Sequence, residues 1–270
     1  MAGPRVTRHV GAAVVAVVLG ASGCSLVGAE SNRPGTAAHA TVDARQFGVA
    51  VTTYDWTDTS RRAGSTPGRP LPTRIYVPTV DGAVARGSFP LFVWAHGIDA
   101  TATTFDSLLR AVAARGYVVA APTFPLTRSG GQGSERFFDY ANQPKDVSFV
   151  ISHVLAIDGA HGSMHPGLID PARIAMGGHS LGAVTTMGLV GNTCCIDTRI
   201  RAAVEIDGAP LAFPEGAAVA TKVPLLVIHG SDDILFPLSD GKALYSAAAA
   251  PKDLIVLHGV PHTPFGIPWA

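Results

Sequence analysis

The sequence predicts an α/β domain with a mostly parallel central sheet and helices on both faces. Two observations carry this. Short apolar runs alternate with segments of helical spacing along most of the 270 residues. The residues best suited to chemistry each follow the end of such a run, where open α/β sheets place their sites.

Phe47 to Tyr54 and Leu71 to Tyr76 read as two early strands, antiparallel at a sheet edge. Between them, Arg61 to Pro70 is rich in Gly, Pro and Ser and reads as a turn region. Pro90 to Ala95 reads as a central strand, followed by a helix near Phe105 to Arg115 and a strand from Tyr117 to Ala121 that Pro122 stops. Leu126 to Tyr140 is polar and glycine-rich, a long surface loop whose Phe137, Phe138 and Tyr140 are candidates for a substrate wall. A helix is predicted over about 144–157, with Val147, Val150, Ile151 and Val154 at helical spacing. Asp170-Pro171 leads into the strand Ile174-Ala175-Met176, and Ala202–Ile206, Val223–His229 and Leu254–Leu257 supply three more. The connection from Asp207 to Lys222 is too short to hold a helical cap, so an open cleft is expected.

Composition narrows the possible partners. Formal net charge is zero and 15% of residues are charged, with no basic run that would suit nucleic acid. The first 23 residues read as an export signal: Arg5, Arg8 and His9, then the apolar stretch Val10 to Leu19, then Ala21-Ser22-Gly23-Cys24. That apolar stretch falls short of the roughly 20 residues a membrane-spanning helix needs. Cys24 after small residues fits a bacterial lipobox, with lipidation anchoring the chain to the outer face of the cell membrane. Ala21-x-Gly23 also suits ordinary signal cleavage, so a freely secreted protein is the lesser alternative. Residues 24–42 read as a flexible tether, and 43–270 as one catalytic domain.

The centre of the reading is Gly178-His179-Ser180-Leu181-Gly182, directly after the Ile174 strand. In a G-x-S-x-G elbow the serine sits on a tight strand-to-helix turn, and the glycines leave room where a Cβ would clash. Acyl transfer by a serine needs a base, an acid to orient that base, and donors for the oxyanion. Asp233 and His262 follow in the required order, each after a strand. Asp207 is the alternative acid, because it too closes a strand. The backbone amides of Ile98 and Leu181 are the candidate oxyanion donors.

Other residues have plainer readings. His96 is expected to bond loop backbone, His179 to pack beside the elbow, and His229 and His258 to be satisfied at strand ends. Trp94 reads as sheet core and Asp146 as a brace. His161 and His165 have helical metal spacing but lie in a glycine-rich loop without a third ligand, so no metal is expected. Cys194 and Cys195 are adjacent, with a structural role expected and their redox state open.

Ala95-His96-Gly97, Gly116-Tyr117-Val118-Val119, Asn142-Gln143-Pro144-x-Asp146, the elbow, Gly230-x-x-Asp233 with Pro237, and Gly259-x-x-His262 together resemble a known group. It comprises exported bacterial α/β-hydrolases spanning platelet-activating-factor-acetylhydrolase-like esterases, dienelactone-hydrolase-like proteins and polyester hydrolases. The resemblance implies the α/β-hydrolase fold without a large cap, and cleavage of small-molecule, lipid or polymer esters by Ser180, His262 and Asp233. The acyl-enzyme route itself requires no metal or organic cofactor, and a monomer is expected. True dienelactone hydrolases carry cysteine where Ser180 stands, which argues against that reaction. Relatives commonly continue into a covering helix, whereas the sequence here stops shortly after His262, so a less buttressed histidine loop is expected. Acyl transfer to an alcohol, and a non-catalytic binding lipoprotein on the same scaffold, are the alternatives.

Overall fold

The computed structural model describes residues 46–131, 136–159, 166–249 and 251–262. The export signal, Cys24 and its tether, the His161/His165 pair and the residues after His262 lie outside these. The strands are Gly48–Ala63 (β1), Thr66–Val80 (β2), Ala83–Val84 (β3), Phe89–Ala95 (β4), Val118–Pro122 (β5), Ile169–His179 (β6), Ile200–Ile206 (β7), Leu225–Gly230 (β8) and Lys252–Leu257 (β9). They form one sheet in the order β1-β2-β5-β4-β6-β7-β8-β9, with β3 paired to β2. From β5 to β9 every pairing is parallel, while β1 and β2 run antiparallel. The helices are Asp106–Ala113 (α1), Gln143–Gly159 (α2), Leu181–Gly191 (α3) and Leu238–Ala247 (α4).

Alternation along β4 shows why the sheet is covered on both sides. Leu91, Val93 and Ala95 pack with Val147, Val150, Ile151 and Val154 of α2 in one cluster. Phe92 and Trp94 point the other way, into a second cluster with Leu109 and Val112 of α1. A strand buried on both faces is the expected centre of a parallel sheet. Trp94 is fully buried there, as core. The connection from β7 to β8 contains no helix, so no helical cap is inserted there.

The turn region expected over Arg61–Pro70 is instead ladder. β1 and β2 form one long hairpin that turns only at Gly64-Ser65. Its composition misleads for a local reason. β5 pairs with β2 only over Thr73 to Tyr76. Pro67, Pro70 and Pro72 therefore lie where β2 has a single neighbour, and edge positions tolerate a missing N–H.

That hairpin carries a buried ionic cluster absent from the sequence reading. Arg69 is 1% exposed and forks onto two carboxylates. Its Nη1 and Nη2 donate to Asp139 at 3.0 and 2.9 Å, and its Nε and Nη2 donate to Asp146 at 2.8 and 2.6 Å. Arg61 adds a bond to Asp146 at 2.5 Å and one to Asp58 at 2.7 Å. Burial opposes the Arg69 charge, yet the two carboxylates hold its proton more firmly than usual. Asp146 is thus a brace that ties α2 to the edge hairpin. Removing one partner of a buried pair strands the rest without compensation. We predict that Arg69→Leu lowers the unfolding free energy by about 3–5 kcal/mol, read from the urea midpoint at unchanged m-value. A loss below about 1 kcal/mol would contradict the cluster's role.

Candidate active site

Ser180 sits between β6 and α3 with φ 58° and ψ −124°, a region that residues with a Cβ seldom occupy. Three close approaches hold it there. A Cβ on Gly178 would lie 2.2 Å from Gly182 O, and one on Gly182 would lie 2.0 Å from Ala95 O. A Cβ on Gly97 would lie 2.8 Å from Ser180 Cβ, so the loop after β4 touches the serine itself. The Ser180 N–H donates to Ile206 O at 3.0 Å, which pins the turn to β7.

The structure brings Ser180, His262 and Asp233 into one line. Ser180 Oγ lies 2.8 Å from His262 Nε2, and His262 Nδ1 lies 2.6 Å from Asp233 Oδ2. With the carboxylate accepting, Nδ1 carries the proton and Nε2 is left to accept from the serine hydroxyl. Asp233 Oδ1 accepts from the Leu235 and Phe236 amides, both at 2.9 Å, so the acid is fixed by its own turn. His229 Nε2–H donates to Phe236 O at 2.8 Å and braces that turn from below. The Phe236 ring meets the His262 ring edge-on at 5.5 Å.

Asp207, the alternative acid, is placed elsewhere. Its Oδ1 accepts from the Gly230 amide at 2.7 Å, and its Oδ2 lies 3.8 Å from His179 Nε2. Asp207 and its neighbour Glu205 are fully buried. Burial pushes the carboxyl of each up to about 8, against the opposing pull of the Gly230 and Gly208 amides respectively. This pair of neutral acids beneath the site was not anticipated; a carboxylate inside an otherwise apolar strand, Val204-Glu205-Ile206, is the signal that marks it.

Ile98 and Leu181 flank the serine. Among the described residues, neither amide has an acceptor. Leu181 opens α3, where the helix dipole favours negative charge. The Ile98 loop is held by Asp99 N–H to Thr127 O at 2.7 Å, and by an ion pair between Asp99 and Arg136. Behind it, His96 Nε2 accepts from Phe124 N–H at 2.9 Å and its Nδ1–H donates to Gly97 O at 2.7 Å. Burial holds His96 neutral, with its pKa pushed down to about 4. It is a structural residue.

An apolar cluster lies beside the serine: Tyr140, Leu181, Val184 and Phe213, with half-buried Ile98, Leu211 and Phe236 packed against them. Tyr140 belongs to this wall, its hydroxyl donating to Ala212 O at 2.6 Å, whereas Phe138 points outward and is largely exposed. Cys194 and Cys195 also pack here and are joined by a disulfide. Donor atoms of Asp207, His229 and Asp233 lie within 4.8 Å of one another, a spacing a cation could use. Asp233 already accepts at both oxygens, Oδ1 from the Leu235 and Phe236 amides and Oδ2 from His262 Nδ1.

Residues 43–215 match the sequence profile of the chlorophyllase family. A stretch of 110 residues is 34% identical to uncharacterised proteins from two strains of Mycobacterium tuberculosis, covering 35% of this chain. The chain spans about 39% of the length of these curated relatives. The solved structure of a ferulic acid esterase from Streptomyces cinnamoneus matches with a TM-score of 0.64 at 20% identity, covering 80% of this chain and 75% of that one. The fold is that of an α/β-hydrolase. The chain belongs to the chlorophyllase family. The matched span holds Ile98, Ser180, Leu181 and Asp207, while Asp233 and His262 lie beyond it.

The buried acids make stability depend on pH. Glu205 and Asp207 keep their protons up to about pH 8 when folded, but release them near pH 4 when unfolded. The folded chain therefore binds more protons across that window and loses stability as pH rises through it. His96 and His179, both pushed down to about 4 by burial, act oppositely, because the unfolded chain protonates them. That effect ends above about pH 6.5, leaving the carboxyls alone. We predict a Tm decline of at least about 3 °C between about pH 6.5 and 8.5, roughly halved by Glu205→Gln. A flat or rising Tm over that range would contradict the assignment.

Proposed function

We propose that the chain is a serine hydrolase that cleaves carboxylic esters through an acyl-enzyme at Ser180. The observation that carries the reading is the unbroken line of hydrogen bonds from Ser180 through His262 to Asp233. Membership of the chlorophyllase family and the esterase-type fold support it. His262 Nε2 takes the hydroxyl proton as Ser180 Oγ attacks the ester carbonyl. The Ile98 and Leu181 amides receive the developing oxyanion, each donor typically contributing on the order of 100- to 1,000-fold in rate. Asp233 stabilises the imidazolium, which hands its proton to the departing alcohol. His262 then draws a proton from water, the hydroxide attacks the acyl carbonyl, and Ser180 is restored as the acid leaves.

The apolar wall formed by Ile98, Leu181, Leu211 and Phe236 favours an uncharged acyl or alcohol group beside the serine. With no helix between β7 and β8, the cleft is open, which suits short or otherwise accessible esters. The enzyme is proposed to be exported through residues 1–23. It is then held at the outer face of the membrane by a lipid on Cys24 or released, with residues 24–42 as its tether.

Turnover of p-nitrophenyl acetate, butyrate, octanoate and palmitate tests the activity directly. The short esters should be cleaved faster than palmitate, and Ser180→Ala should lower kcat/KM by at least about 10,000-fold. A folded wild type no faster than Ser180→Ala would overturn the reading.

A further inference from the structure

His179 lies between the nucleophile strand and the base, and its geometry is more specific than packing requires. It is 4% exposed. Its Nε2 lies 2.7 Å from the backbone oxygen of His262. A carbonyl only accepts, so Nε2 carries the proton and donates. The two imidazole rings stand 5.0 Å apart, and the Phe105 ring closes the pocket at 5.7 Å from His179. Asp207 Oδ2 lies 3.8 Å from the same nitrogen while Asp207 Oδ1 holds the Gly230 amide, where the acid's loop begins.

The base needs such a tether because it follows no regular element. After β9 ends at Leu257, the chain passes through residues 258–262 without a strand or helix. Among the described residues, three bonds hold the middle of that segment: Asp232 N–H to Val260 O at 3.0 Å, Gly259 N–H to Ser231 Oγ at 2.8 Å and Val260 N–H to Leu257 O at 3.4 Å. None of the three touches the His262 backbone. Its side chain must satisfy Ser180 Oγ and Asp233 Oδ2 together, and a main chain free to shift would lengthen one bond or the other. Burying an imidazole costs free energy that an apolar side chain filling the same pocket would not. Among the described contacts, the donated hydrogen bond to His262 O offsets that cost.

We propose that His179 is a positioning residue, fixing the base by donating from its Nε2–H to the His262 carbonyl. The elbow that carries the nucleophile thereby also carries the anchor of its base. One strand end, residues 179 and 180, sets both partners of the first proton transfer. The role rests on the esterase reading above, since it concerns the same His262.

The test uses the full chain with His179→Leu, His179→Asn and His179→Gln, and a short p-nitrophenyl ester. Leucine fills the pocket without a donor, asparagine is too short to reach the carbonyl, and glutamine places an amide N–H at a similar distance. We expect kcat to fall about 10- to 100-fold for leucine and asparagine with KM within about twofold, and glutamine to recover most of the loss. A second readout needs no substrate: the downfield proton resonance of the His262–Asp233 bond should persist in His179→Gln and broaden or vanish in the other two. If leucine prevents folding, asparagine against glutamine makes the same comparison. Equal kcat and an unchanged resonance in all three variants would overturn the role. A wild type whose turnover survives Ser180→Ala would instead sink the esterase reading, and the positioning role with it.

Discussion

Everything at the carboxyl end of this sheet depends on one backbone conformation, that of Ser180. At φ 58° a residue with a Cβ is strained, and strain of this kind, on the order of 1–3 kcal/mol, persists only where the surroundings over-determine it. Here the surroundings are backbone. Gly178 lies against Gly182, Gly182 against Ala95, and Gly97 against Ser180 itself. Because those contacts leave no room for side chains, β4, β6 and α3 converge to nearly touching distance. That convergence puts the Ile98 loop beside the serine and the first amides of α3 beneath it. A relaxed serine would leave the hydroxyl, the free amides and the base without a common point.

The rest of the molecule can be understood as support for that point. The Arg69 cluster locks the edge hairpin to α2 and to the turn carrying Tyr140, and Tyr140 in turn holds the loop of Leu211 and Phe213 through Ala212. His229 and the Leu235 and Phe236 amides fix Asp233, and His179 holds the main chain of His262. The acids beneath the site, Glu205 and Asp207, stay neutral near pH 7 because burial outweighs their amide contacts. Neutrality there leaves Asp233 as the negative group facing the base. The nearby Asp233 carboxylate adds to the upward push that burial exerts on Asp207.

Legibility of the sequence followed the physics of each element. The elbow could be read because steric demand translates directly into glycines at fixed offsets from Ser180. The central strands could be read because burial on both faces turns them into continuous apolar runs such as Leu91 to Ala95. The β1–β2 hairpin was hidden by prolines that usually signal turns and are tolerated here only because β2 is locally an edge. The choice between Asp233 and Asp207 was open for a different reason. Both close a strand at the same end of the sheet, and what separates them is a side-chain direction. Asp233 turns to His262, whereas Asp207 turns back to the Gly230 amide. The Arg69 cluster joins residues about 70 to 77 apart along the chain, which no local pattern encodes.

The central claim is that Ser180 is a nucleophile activated by His262. Incubation with a fluorophosphonate, followed by intact mass and peptide sequencing, tests it without assuming any ester. The account predicts one adduct per chain, located on Ser180, with labelling slowed at least about 100-fold in His262→Ala. No adduct, an adduct on another residue, or equal labelling of the His262→Ala variant would contradict it.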